Sequence, residues 1–243
     1  MMSGASSPPA APTDLDLQDL SLSHDLRAPL RVIDGFARIL KDDYGPTLDK
    51  RGNDHLDRIL AATQRMGGMI DVLMGLAQLG AQPMQRRPVD LSELARGVLD
   101  DLRHSEPARR THIEIQDHLV SWGDPDLLRR VMENLLGNAW KYSARTAETR
   151  IGFRGRVLPN GRTAFEVQDN GVGFDMRLVG QLFAPFQRLH SASDFPGHGV
   201  GLATVRRIIE RHGGEVGAWG EPNQGSVFWF TLAERRGEGA RST

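Results

Sequence analysis

The stretch DPDLLRRVMENLLGNAWKYS, residues 124–143, has the period of an amphipathic helix and an unusual placement of amides. Asp124 is a plausible N-cap, because its carboxylate can take the free backbone N–H groups of the first turn. Leu128, Val131, Leu135 and Tyr142 make an apolar face. Along its edge run Asn134, Asn138 and Lys141, at i, i+4 and i+7, so the three share one side of the helix. Burying two amides and an ammonium beside a core costs free energy unless something binds them. Together they offer amide oxygens to a hard cation and a positive charge to phosphate. Taken alone, a solvated helix face accounts for such a triplet as well.

The segments that follow carry related chemistry. TRIGFRGRVLPNGRTAFEVQDN (149–170) reads as a β-hairpin turning at Pro159-Asn160-Gly161. It runs into DNGVGF (169–174), where Asp169 can accept a hydrogen bond from an exocyclic amine. Gly171 and Gly173 there let backbone approach a flat ring or phosphates. Asp-Asn-Gly by itself is also an ordinary turn. LFAPFQRLHSASDFP (182–196), with Phe183 and Phe186 near its start, is a loop of lid length, or plain disorder. GHGVGL (197–202) sets Gly197, Gly199 and Gly201 at the start of a helix that stops at Gly213, aiming backbone N–H groups at an anion. This is not a dinucleotide fingerprint, since the spacing differs and no strand immediately precedes it. GSVFWFTL (225–232) is a final strand.

Upstream, THIEIQ (111–116) alternates like a strand, and a helix capped by Asp90 or Ser92 runs to about Arg103. GAQPMQRRPVDLSEL (80–94), with two prolines, reads as a linker. Before it, SLSHDLRAPLRVIDGFARIL (21–40) puts Leu22, Leu26, Leu30, Ile33, Ala37 and Leu40 on one narrow stripe at ~100° per residue. His24 lies nearly opposite that stripe and is followed at once by Asp25. Pro29 removes a backbone donor and should distort the helix one turn further on. After a break at DDYGPTLD (42–49), a second helix from about Asp49 to Leu79 carries Leu56, Ile59, Leu60, Thr63, Met66, Ile70, Leu73 and Met74 on one side. Two long helices joined by a short turn cannot hide both stripes from water. A second copy, giving a four-helix bundle, is the simplest solution. A coiled-coil spacer with no chemistry would satisfy the same pattern.

Composition narrows the classes further. Of 243 residues, 39% are hydrophobic and 25% charged, ordinary values for a soluble globular chain. The formal net charge of −1 gives no global attraction to nucleic acid or anionic membrane. Cysteine is absent, which removes disulfides and thiolate metal sites. No apolar run approaches the ~18 residues of a membrane span. MMSGASSPPAAPTD (1–14) lacks the basic start and apolar stretch of a secretory signal, so the expected location is cytoplasmic.

In this order the segments resemble the transmitter of a sensor histidine kinase, over residues 21 to about 233. SHDLRAPL resembles the H box, NLLGNAWKYS the N box, DNGVGF the first glycine box, LFAPFQRLH the F box and GHGVGLATV the second glycine box. The wording of the H and F boxes is closest to the phytochrome-like and hybrid branch. The resemblance implies an α plus α/β chain: an antiparallel helical hairpin forming a dimeric four-helix bundle, then an α/β sandwich of the Bergerat ATP-binding type. The expected divisions are a disordered N-terminus (1–14), the phosphotransfer hairpin (15–80), a linker (81–90), the ATP-binding domain (91–234) and a flexible tail (235–243).

The same resemblance implies roles. His24 would be the phosphoacceptor, with Asp25 holding the ring tautomer and taking up the released proton. Asn138 would ligate Mg²⁺ with Asn134 in support, and Lys141 and Tyr142 would face the phosphates and nucleotide. Asp169 would recognise the adenine amine. Gly171, Gly173, Phe183, Gly197, Gly199, Gly201 and Leu202 would line the pocket and hinge its lid, and Glu133 would act near the γ-phosphate. ATP and Mg²⁺ are the implied substrate and cofactor, and the partners are a second copy and a response regulator's receiver domain. The sensor input would lie on another chain or a missing segment. The competing reading is an ATP-gated clamp of the same superfamily, which needs neither His24 nor HDLRAPL. Many such kinases carry Thr or Asn four residues after the phosphoacceptor. Here that position is Ala28, whose methyl group cannot orient a water, so weak phosphatase activity is expected.

Overall fold

The computed structural model describes residues 14–81, 83–187, 189, 195 and 199–233; the side chains of 14–26, 71–73 and 76–81 are outside that description. The chain divides into two units, one ending at Pro83 and the other beginning at Met84.

The first unit is a helical hairpin of α1 (Asp14–Tyr44) and α2 (Lys50–Ala81). Asp49 caps α2, its carboxylate accepting the Gly52 N–H at 2.7 Å. Asn53 closes the turn by donating to the Gly45 carbonyl at 2.9 Å. Only glycine fits at 45, since a Cβ there would lie 2.2 Å from the Lys41 carbonyl oxygen. Lys41 pairs with Asp57, Thr63 hydrogen-bonds Asp34 at 3.1 Å and Gly67 meets Leu30, so the helices run antiparallel. α1 stays helical through Pro29.

Ala37, Leu56, Thr63 and Ile70 fill the seam between the helices. The rest of the two apolar stripes is left over. Ile33, Leu40, Ile59 and Met66 are 48%, 46%, 42% and 43% exposed, more apolar surface than one hairpin can cover.

The second unit is a sandwich. Helices α3 (Leu91–Ser105), α4 (Pro125–Tyr142) and α5 (Gly201–Arg211) pack on one another and on a five-stranded sheet. Its strands are β2 (Thr111–Ile115), β4 (Thr149–Val157), β5 (Thr163–Asp169), β6 (Val216–Glu221) and β7 (Gly225–Thr231). The order is β2-β4-β5-β7-β6, with β2 and β4 parallel and the other pairs antiparallel. Phe153, Val167 and Phe230 on one face meet Leu128, Leu135 and Ile208 in the core, while Trp219 and Arg154 point out on the other. The β4–β5 hairpin turns where the sequence places it, with Gly161 at φ +82 and its N–H on the Leu158 carbonyl.

Three strands differ from the sequence expectation. β1 (Arg87–Asp90), inside the stretch expected as linker, pairs antiparallel with β3 (Val120–Gly123) and buries Val89. Neither β3 nor β6 was expected. Four residues are too few to show a period, and the two glycines of VGAWGE blur the alternation.

A buried histidine ties the helices of this unit together. His212, 1% exposed, accepts the Asp124 N–H on Nε2 at 3.0 Å and contacts the Ile208 carbonyl through Nδ1 at 2.8 Å, which places its proton on Nδ1. Asp124 in turn caps α4 through the Asp126 and Leu127 N–H groups, and its second oxygen takes the Gln85 N–H at 2.8 Å. Burial pushes the His212 pKa down. The unfolded chain then binds the extra proton more readily, so the stability from neutral His212 is present above the unfolded pKa of ~6.5 and is lost as pH falls below it. Melting of the full chain should therefore show a drop in Tm between neutral and mildly acidic pH that shrinks in His212→Gln. Parallel pH profiles for the two proteins would contradict this.

Candidate functional site

Five separated segments converge on one cavity in the second unit. α4 contributes Asn134, Asn138, Lys141 and Tyr142, and the turn after β5 contributes Gly173 and Phe174. Leu182, Gln187 and Leu189 come from the long loop, Gly199 to Leu202 from the start of α5, and Ser226 and Phe228 from β7. The polar triplet of α4 lines this cavity.

Local geometry explains the residue types. Asn134 donates to the Arg130 carbonyl at 2.7 Å, and a Cβ at Gly201 would stand 2.4 Å from its Oδ1, so a larger residue there would push the Asn134 amide aside. No described residue engages the Asn138 amide. The Lys141 ammonium lies over the Tyr142 ring, 4.2 Å from its centroid, and that ring meets Phe195 edge-on at 5.0 Å. Gly173 has φ +58, and a Cβ there would fall 1.9 Å from the Glu221 carbonyl oxygen. The Phe186 N–H bonds the Gly199 carbonyl at 2.9 Å and closes the base of the long loop.

Asp169 is 5% exposed and sits behind Ser226, whose hydroxyl donates to its Oδ2. Its Oδ1 accepts the Gly171 N–H at 2.7 Å. Burial pushes its pKa up, and these hydrogen bonds oppose the shift without cancelling it.

Not every residue singled out in the sequence reaches the cavity: Asp169 stands behind Ser226, and neither it nor Gly171 lines the wall. Glu133 is exposed and pairs with Arg129 at 3.0 Å, one step round the helix from Asn134, and does not line the cavity. Phe183 backs the wall instead of forming it, its ring 6.5 Å from that of Phe228. Gly197 is outside the described residues, as are the side chains of His24 and Asp25. Phe174, Leu182, Gln187, Leu189, Val200, Ser226 and Phe228 also line the cavity and were not singled out in the sequence. Ser226 meets Asp169 only because β7 pairs with β5 in the register Asp169↔Ser226, and no local pattern announces that pairing.

Two family models match this chain: the His Kinase A (phospho-acceptor) domain over residues 21–82, and the histidine kinase-, DNA gyrase B- and HSP90-like ATPase over residues 123–236. The chain belongs to the sensor histidine kinases. This kinase chain is 34% identical to Cyanobacterial phytochrome B of Nostoc sp., over 91% of its own length and 30% of the relative's. It is 29% identical to the signal transduction histidine-protein kinase BarA of Escherichia coli, over 87% of its length and 24% of that protein's. Full-length ShkA, solved in complex with AMPPNP, is 27% identical with a TM-score of 0.58, covering 92% of this chain and 46% of that one. The mycobacterial sensor histidine kinase MprB is 25% identical with a TM-score of 0.51, covering 61% and 97%. The kinase chain thus spans under a third of the curated relatives it matches.

Proposed function

We propose that this chain is a two-component transmitter that phosphorylates itself on His24 with ATP and passes the phosphoryl group to an aspartate of a response regulator. The observation that carries the reading is the meeting of Asn134, Asn138 and Lys141 with Ser226 and the N-terminus of α5 on one cavity, with Asp169 hydrogen-bonded behind Ser226. Asp169 suits an adenine amine, Lys141 suits phosphate, and the first N–H groups of α5 favour an anion. The likeness to a structure that holds AMPPNP supports the same ligand class. The open Asn138 amide, with Asn134 beside it, fits Mg²⁺, which when bound would neutralise phosphate charge.

In the proposed reaction a neutral imidazole nitrogen of His24 attacks the γ-phosphorus. The bond from that phosphorus to the β–γ bridging oxygen breaks, ADP leaves, and Asp25 takes the proton from the other ring nitrogen. The regulator's carboxylate then displaces the imidazole. The input domain lies outside this chain and the site of action is cytoplasmic. Incubation with γ-labelled ATP tests the reading: acid-labile label on the protein supports it, hydrolysis alone supports an ATP-gated clamp, and neither refutes both.

The active form is a homodimer, because Ile33, Leu40, Ile59 and Met66 remain exposed on the hairpin. Ile59→Glu combined with Met66→Glu should give monomers with much lower autophosphorylation, and light scattering checks the first point. A wild-type monomer at micromolar concentration would contradict it.

Ala28 makes a separate expectation. Lost water positioning is worth ~2–3 kcal/mol, roughly 10²-fold in rate. Decay of purified phospho-regulator should therefore be little stimulated by wild type and faster with Ala28→Thr. Fast decay with wild type would show that another group holds the water.

A further inference from the structure

The last turn of α4 is held from two sides. On one, the Tyr142 carbonyl accepts the Val172 N–H at 3.2 Å, and Gly171 packs so closely that a Cβ would lie 2.6 Å from that oxygen. On the other stands Arg109, whose side chain is only 11% exposed. Its Nη2 donates to the Trp140 carbonyl at 2.5 Å and to the Ser143 hydroxyl at 3.3 Å, and its Nε donates to the Thr149 hydroxyl at 2.9 Å. The guanidinium also lies over the Trp140 indole, 4.4 Å from the ring centroid. Glu106 completes the group, accepting the indole N–H at 2.9 Å and facing Arg109 at 3.5 Å.

A buried guanidinium is an expensive way to hold a helix end, and an apolar side chain of similar volume is often at least as stabilising. What the guanidinium adds is direction. Its Nη2 holds the carbonyl of Trp140 and the hydroxyl of Ser143 while its Nε holds the Thr149 hydroxyl, at a helix end where a cation complements the dipole. Lys141 and Tyr142, which line the cavity, lie between this clamp and the Val172 clamp, whereas Arg109, Trp140 and Glu106 do not line it.

We propose that Arg109 is a positioning residue of the nucleotide site: by fixing the last turn of α4 it aims Lys141 at the phosphates. This rests on the nucleotide reading above. Lys141 has a long, flexible stem, so a small rotation of its backbone swings the ammonium away from a bound phosphate. The adenine side is built on Asp169 and Ser226, which the β5–β7 register holds together, so it should shift less than Lys141 under that rotation.

Calorimetry on the full chain with ATP, and separately with adenosine, tests the assignment. Arg109→Met should weaken ATP binding about tenfold while adenosine binding stays within about twofold, one charge-assisted contact being lost on the phosphate side only. Arg109→Lys, a point donor in place of the fork, should fall between wild type and Arg109→Met. Equal losses for both ligands, or no loss for either, would overturn the proposal. Should Arg109→Met fail to fold, Arg109→Lys carries the same comparison, and an unchanged ratio of the two affinities sinks it. Wild type that binds neither ligand would overturn the nucleotide reading and this inference with it; wild type that binds both, with unaltered variants, would overturn this inference alone.

Discussion

Replacement of His24 by Gln is expected to reduce label transfer from γ-labelled ATP to background while ATP binding persists. Glutamine is close to isosteric but has no nucleophilic nitrogen, since its amide lone pair is delocalised into the carbonyl. Every described residue lining the nucleotide cavity belongs to the unit that begins at Met84, so the substitution in α1 leaves that wall intact. The wild-type label should be lost in acid and survive base, as an N–P bond requires and a phosphoserine does not. Label that remains on His24→Gln would place the acceptor elsewhere. Loss of ATP binding in that variant would mean that the change had damaged more than the acceptor.

The second large effect is expected at Asp169. Asp169→Asn keeps the shape but replaces one acceptor oxygen with a donor. With the amide oxygen kept on the Gly171 N–H, the NH₂ donates to the Ser226 hydroxyl, and an adenine amine there meets a donor where it needs an acceptor. Leaving such a buried group badly paired costs about 1–3 kcal/mol, roughly 10- to 100-fold in ATP affinity. Calorimetry showing unchanged affinity would refute the adenine role.

The pH dependence has a definite sign. Burial raises the Asp169 pKa, and an amine donor requires the carboxylate. Wild-type affinity should therefore fall as pH is lowered through that raised pKa, and Asp169→Asn should show no such dependence. Folding runs the other way. Because the folded pKa exceeds the unfolded value, the contribution of Asp169 to stability is present below the unfolded pKa and is lost as pH rises through the folded one.

How much of this was legible beforehand depended on the range of the interaction. The stripe of α1 and α2, the Asp124 cap and the Asn134–Asn138–Lys141 row are all set by neighbours three, four or seven residues away, and a helix preserves those relations wherever it packs. The hairpin at Gly161 is equally local, fixed by a backbone conformation that glycine adopts without strain. These features carried the two-part architecture and the polar row of the cavity.

The set of helices, their faces and the order of the chemical boxes are therefore local properties of the chain. Tertiary structure alone decided which residues meet. Asp169 and Ser226 are 57 positions apart and come together through strand register, which is fixed by a whole sheet burying one face. The short strands β1 and β3 exist because each gives the other a partner. Glu133 and Asn134 are adjacent in sequence, yet ~100° of helix rotation sends one to solvent and Arg129, the other to Gly201. Arg109 joins the end of α4 by the same kind of long-range packing. A helical period states that two faces differ; only the elements packed against the helix decide which face becomes a binding site.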